Sequence, residues 1–183
     1  MFHGDKIVIN PEAVEHLTQV QPPIRVISAI GLVKSGKSTT LNKIIDEWNG
    51  VFEDTTDTFL TSNKMESSTR GLWIHILSDG ITAGSTIFID AEGTGLGDDI
   101  KTTTLSIITG LMSSETLLLV KDLLTNQHID FLYRVCHRAN LTFGDYRNLG
   151  DLHVVVRGQL RPTSDSNEYG YTCLLYTSDA ADE

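Results

Sequence analysis

The eight residues Gly31-Leu-Val-Lys-Ser-Gly36-Lys37-Ser38 constrain this chain more than any other feature. The pattern G-x-x-x-x-G-K-S needs its glycines so that the backbone can curl and aim successive N–H groups at phosphate oxygens. Lys37 is placed to reach terminal phosphates. Ser38 is placed to offer a hydroxyl to magnesium at the start of a helix whose positive end faces the anion. The expected nucleotide contacts are therefore Gly31, Lys34, Ser35, Gly36, Lys37, Ser38 and Thr39. Lys37 is expected to compensate phosphate charge and to have no packing role.

Such a loop has meaning only between a strand and a helix, and its flanks supply both. Residues 24–30 (IRVISAI) form a β-branched run that reads as a buried strand, and residues 38–48 carry Leu41, Ile44, Ile45 and Trp48 at helical spacing. Upstream, the short apolar alternation at 6–9 precedes a Pro11-initiated helical stretch with Val14, Leu17 and Val20, closed by Pro22-Pro23. Downstream, residues 49–68 are polar, and a loop of that length inside a compact domain is usually functional. Residues 72–77 and 86–89 predict two neighbouring strands joined by a turn. A helix over 99–112, a strand over 116–120, a helix over 126–139 and a strand over 152–156 follow. This alternation predicts an α/β fold: a mainly parallel sheet with helices on both faces, of the phosphate-loop NTPase or G-domain type.

A second signal, Asp90-Ala-Glu-Gly93, closes the apolar strand after one intervening strand. A carboxylate there holds magnesium, usually through water, and Gly93 is placed to offer its N–H to a γ-phosphate. The polar loop ends in Ser67-Ser68-Thr69-Arg70-Gly71. A GTPase needs a Thr in its first switch to close on magnesium, and Thr69 is the expected one. The predicted metal residues are thus Ser38, Thr69 and Asp90.

Bulk properties narrow the class. The 183 residues predict one domain, and 40% hydrophobic with 21% charged residues predict a globular core. A net charge of -10 argues against a broad nucleic-acid surface, while leaving local anion binding by backbone N–H groups and one Lys open. No apolar run approaches the roughly 20 residues that span a bilayer, and the N-terminus lacks a basic stretch followed by an apolar one. A cytoplasmic protein is expected. Of the two cysteines, Cys136 lies in the apolar-periodic stretch 131–139 and is expected to be a reduced core thiol. Cys173 opens the run CLLYTSDAADE, which resembles the in-frame translation of a transposon-derived sequencing-library adapter. Residues 173–183 are therefore expected not to be natural sequence, leaving 1–172 as a domain incomplete at its C-terminus.

The motifs together resemble the guanylate-binding proteins and atlastins, large GTPases related to dynamin, over residues 6–172. The resemblance includes Ile9-Asn-Pro-Glu-Ala13, the loop Gly31 to Ser38, the stretch Thr69-Arg-Gly-Leu-Trp73, and Asp90-Ala-Glu-Gly93 with Gly95-Leu-Gly-Asp98 behind it. The Thr-x-Gly-Leu-Trp stretch is particularly specific, because ordinary small GTPases lack it. The resemblance implies a GTP-hydrolysing, magnesium-dependent domain that binds GTP and GDP and pairs with a second copy across its nucleotide face. It implies Ser67 as the hydroxyl that helps place the attacking water, Thr69 as the magnesium Thr, and Glu92 as part of the water network. It leaves membrane association open.

Two positions depart from the family. Where relatives carry an Arg that acts as an internal arginine finger, this chain has Lys34. Where they carry Arg-Asp to read guanine, it has Arg157-Gly158. A Lys lacks the planar fork of Arg, and Gly158 has no side chain, so slow hydrolysis and weaker preference for GTP over ATP are expected. The alternative is a catalytically weak nucleotide-binding module with relaxed base specificity. A third reading, an ATPase or kinase, fits residues 69–73 least.

Overall fold

A computed structural model describes residues 2–3, 6–50, 58–61, 69–79, 84–94, 100–144, 150–158 and 175–176. Near the N-terminus, β1 (Phe2–His3) pairs antiparallel with β2 (Lys6–Ile7) as a separate small sheet. Helix α1 (Pro11–Thr18) follows, with Pro at its start and the Asn10 side chain accepting the Glu12 N–H at 3.0 Å. Proline fits there because its missing N–H is one the helix would leave unused. The helix forms where its pattern predicts but stops short of Val20, and Val14 and Leu17 remain exposed.

The main sheet is built from β3 (Ile24–Ile30), β4 (Leu72–Asp79), β5 (Gly84–Ala91), β6 (Glu115–Lys121), β7 (Asp151–Arg157) and β8 (Leu175–Tyr176), in the order β4-β5-β3-β6-β7-β8. The central four strands, β5, β3, β6 and β7, run parallel. β4 is antiparallel to β5 from Leu72 opposite Ala91 to Asp79 opposite Gly84. Residues 80–83 are too few for the crossover that a parallel pair requires. The sheet is thus mainly parallel, as expected, with antiparallel pairs at both edges. β8 falls within 173–183, and it pairs with Val154 and Val155. An open edge offers unpaired N–H and C=O groups to any extended segment that reaches it.

Alternate strand residues point to opposite faces, and each face is covered by helix. On one side Ile27, Ala29, Phe88, Leu117, Leu119 and Val155 pack with Leu41 and Ile45 of α2 (Lys37–Trp48). On the other, Ile30, Ala91, Leu118 and Val120 pack with Ile107 of α3 (Ile100–Met112) and with Phe131, Val135 and Ala139 of α4 (Asn126–Phe143). Cys136 is a free thiol on the half-buried flank of α4 rather than in this core, because the core stripe runs 131, 135, 139. The burial it does have pushes its thiol pKa up.

Helix α3 buries hydroxyls. Ser106 and Thr109 donate to the carbonyls of Thr102 and Leu105, and Ser113 just beyond the helix donates to Thr109, at 3.0, 2.7 and 2.6 Å. Each polar group is satisfied within its own chain segment, so burial carries no unpaired donor. Among the described residues no helix is long and apolar enough to cross a membrane.

The polar stretch 49–68 lies mostly outside the described residues, but Phe59 within it belongs to the core. Its N–H donates to Asn42 Oδ1 at 2.8 Å and its carbonyl accepts from Asn42 Nδ2 at 2.9 Å.

Candidate functional site

The order of the sheet decides where a ligand sits. From β3 the chain goes to β5 on one side and only later to β6 on the other. In open α/β sheets the crevice beyond the carboxyl ends of strands at such a reversal is the binding site. Gly31 to Gly36 occupy that place, between β3 and α2.

Two glycines there are required by geometry. Gly31 has φ of 139°, and a Cβ on it would lie 2.7 Å from the Leu119 carbonyl. Gly36 has φ of 89°, and a Cβ there would collide with Arg157 Nη1. Lys34 adopts φ of 64°, a conformation uncommon for a non-glycine residue, and is exposed. No side chain caps the start of α2. The first-turn N–H groups of that helix lack an intrahelical partner and suit an anion. Thr39 lies half-buried in this turn.

Lys37 is buried, and its ammonium donates to the carbonyls of Leu32 at 3.0 Å and Gly31 at 3.4 Å. Burial lowers its pKa to about 8, against the opposing pull of Asp90 and Glu92. The expectation that Lys37 has no packing role is corrected: it bridges two carbonyls of its own loop.

The three predicted metal residues converge. Asp90 Oδ2 accepts from Ser38 Oγ at 2.6 Å and from Thr69 Oγ1 at 3.0 Å, and the two hydroxyls are 3.3 Å apart. Burial raises the Asp90 pKa, and the hydrogen bonds from Ser38 and Thr69, with the charge of Lys37, oppose the rise. Asp90 Oδ1 is buried with no hydrogen-bond partner among the described residues. Those residues contain no group of three or more His, Cys, Asp or Glu suited to a metal. One carboxylate with a spare buried oxygen and two hydroxyls is instead an oxygen donor set, which fits magnesium.

Glu92 meets Gly71 twice. Its carboxylate accepts the Gly71 N–H at 2.8 Å and its own N–H donates to the Gly71 carbonyl at 2.8 Å. Next to it, a Cβ on Gly93 would lie 2.7 Å from Lys37 Nζ and 2.7 Å from Val33 Cα. Thr94 forms a parallel bridge with Leu32: Val33 N–H donates to Thr94 O at 2.9 Å and Thr94 N–H to Gly31 O at 3.2 Å. The hydroxyls of Ser35 and Thr94 are buried without partners among the described residues.

Arg157 reaches the loop from the end of β7, its Nη1 donating to the Gly36 carbonyl at 3.2 Å. Ser67 and residues 95–98 lie outside the described residues. The structure therefore brings together Ser38, Thr69, Asp90, Lys37, Glu92 and Gly93, with Arg157 on the far side of the loop. Sequence reasoning missed Thr94 and Asn42. Thr94 follows Gly93 directly, and Asn42 sits one position after Leu41, on the α2 face that meets the sheet.

Comparison with known proteins agrees in family. The model of the guanylate-binding protein N-terminal domain matches residues 4–145. Human guanylate-binding protein 2 is 30% identical over 91 residues, which cover 49% of this chain and 14% of that protein. Human guanylate-binding protein 3 is 27% identical over 134 residues, covering 71% of this chain and 21% of that protein. The chain thus spans a small part of the length of the curated relatives it matches. Among solved structures, the G domain of the T. maritima FeoB iron transporter is similar at a TM-score of 0.36 and 14% identity, covering 74% of this chain and 87% of that one. That last likeness is too distant to bear on function.

Proposed function

The chain belongs to the guanylate-binding protein N-terminal domain family, a nucleotide-binding, GTPase-like module, and from that premise we propose that it binds GTP with magnesium and hydrolyses it to GDP and phosphate. The observation that carries this reading is the convergence of Ser38, Thr69 and Asp90 beside the buried ammonium of Lys37. Lys37 would turn from the Gly31 and Leu32 carbonyls to the terminal phosphates, and Gly93 would offer its N–H there. Ser38, Thr69 and Asp90 would hold the magnesium ion, which when bound neutralises charge on the phosphates. Glu92, fixed on Gly71, would hold the segment carrying Thr69 in place. Ser67 is assigned the placing of the attacking water, and Lys34 the stabilisation of charge on the transferred group. We further propose pairing of two copies across the nucleotide face, a cytoplasmic setting, and residues 1–172 as a natural but C-terminally incomplete domain with 173–183 as adapter-derived sequence.

A second reading, a catalytically weak binding module, is favoured by one observation. Lys34 is an exposed point charge where relatives place the fork of an Arg. Arginine fingers are worth about 10³ to 10⁵ in turnover. Phosphate release from GTP, with magnesium and with chelator, on wild type and Lys34→Arg separates the two. Magnesium-dependent turnover that rises in Lys34→Arg at unchanged affinity supports the enzyme. Nucleotide binding without turnover in either protein supports the binding module.

A further inference from the structure

At the position where the family resemblance implies a guanine-reading carboxylate this chain has Gly158, and Asp122 lies beside it. Any role of Asp122 at a base rests on the nucleotide-binding function proposed above. Asp90 and Thr69, on the β5 and β4 side of the loop, mark where the terminal phosphate and magnesium belong. A nucleotide so oriented must carry its ribose and base the other way, across the carboxyl ends of β6 and β7. Lys121 and Arg157 are register partners at those ends, and Asp122 and Gly158 lie just beyond them.

Asp122 and Gly158 are in contact. The Asp122 N–H donates to the Arg157 carbonyl at 2.6 Å, and a Cβ on Gly158 would lie 3.3 Å from both Asp122 Cα and its carbonyl oxygen. A side chain at 158 would press on the Asp122 backbone, so glycine there lets the ends of β6 and β7 lie close. Asp122 has φ of 65°, a conformation that Asp tolerates better than most residues and that recurs at functional turns. It is exposed, and its carboxylate makes no hydrogen bond or ion pair among the described residues. Glu115 and Asp151 start β6 and β7, at the opposite end of the sheet. Arg157 is engaged with the Gly36 carbonyl and so links this corner to the phosphate loop.

We infer that Asp122 is the specificity-determining residue of the nucleotide site, its carboxylate accepting the N1–H and exocyclic amine of guanine in place of the side chain missing at Gly158. A carboxylate accepts that pair of donors bidentately and with charge assistance. Adenine offers no matching pair, so it leaves the carboxylate unpaired and is rejected.

The test is competition of GTP, ATP and xanthosine triphosphate against a fluorescent GTP analogue on the full chain. Asp122→Gly suits the φ of 65° and removes only the carboxylate. Asp122→Asn presents an amide whose oxygen accepts the N1–H of xanthine while its NH₂ donates to the C2 carbonyl. The wild type is expected to prefer GTP over ATP by about tenfold or more, and Asp122→Gly to bring the two within about threefold. Asp122→Asn is expected to shift preference toward xanthosine triphosphate by about tenfold. A wild type selective for GTP whose two variants keep that selectivity overturns the inference alone, as does a wild type that binds GTP and ATP equally. A wild type that binds no nucleotide overturns the phosphate-loop reading and the inference with it.

Discussion

The carboxylate of Glu92 accepts the N–H of Gly71 while the N–H of Glu92 donates to the Gly71 carbonyl, both at 2.8 Å. This double clasp fixes the strand start that carries Thr69 against the segment that carries Asp90. Glu92→Ala should cost about 1 kcal/mol of stability, since the lost bond is charge-assisted but only half-buried. It should also weaken the magnesium dependence of nucleotide affinity, while Glu92→Gln, which keeps an acceptor, should do less of both. Urea melts and titrations with and without chelator measure this. Equal effects of Ala and Gln would mean that the charge, and not the clasp, matters.

Lys37 presents a trade between stability and binding. Its ammonium is buried on two carbonyls of its own loop, and burial holds its pKa at about 8. Each unit of such a shift from the ordinary 10.5 corresponds to about 1.4 kcal/mol, so the apo protein carries a cost on the order of 3 kcal/mol for the charge. Lys37→Met, which keeps the stem, should raise apo stability toward that figure and abolish nucleotide binding. A Met variant that is less stable than wild type would show the two carbonyl contacts to outweigh desolvation.

Asn42 holds Phe59 from both sides of one peptide residue. Asn42→Ala leaves a buried N–H and a buried C=O without their partner, at a cost of about 2 to 4 kcal/mol. Chemical denaturation reads it, and a loss under about 0.5 kcal/mol would mean that water replaces the side chain.

His75 supplies a pH dependence. It packs edge-on to Phe59 at 6.4 Å, and burial lowers its pKa below the ordinary 6.5. Below pH 6.5 the unfolded chain takes up the proton first while the folded chain resists it, so stability should fall as pH drops from 6.5 through the lower folded value. His75→Gln should flatten that fall in thermal melts between pH 7 and 5. An unchanged profile would assign the acid sensitivity to other groups.

How much of this was legible depended on which signals are local. β3, α2, β6 and β7 are readable because β-branched runs and the helical spacing of Leu41, Ile44 and Ile45 report burial directly. The clustering of Ser38, Thr69 and Asp90 was legible because each member sits at a fixed offset from a glycine or strand end. Phe59 was not, since one aromatic in a polar run has no period, and its partner Asn42 is a polar helix residue. Helix α1 had the period but not the burial, because amphipathic spacing tells which face is apolar and not whether anything covers it. Arg157 was legible only as a residue that the resemblance assigns to the nucleotide, and its contact with the Gly36 carbonyl, 121 residues away in sequence, carries no local signal.

The bridge between Leu32 and Thr94 ties the phosphate loop to the segment that carries Glu92 and Gly93. Its two hydrogen bonds, Val33 N–H to Thr94 O and Thr94 N–H to Gly31 O, hold Gly93 against the ammonium of Lys37. Under the proposed function, a third phosphate that displaced Gly93 would have to open the bridge at a cost of about 1 kcal/mol per bond. On that reading, a substitution that loosens Thr94 is expected to raise affinity for triphosphate relative to diphosphate, and by linkage triphosphate binding is expected to loosen Thr94 by the same free energy.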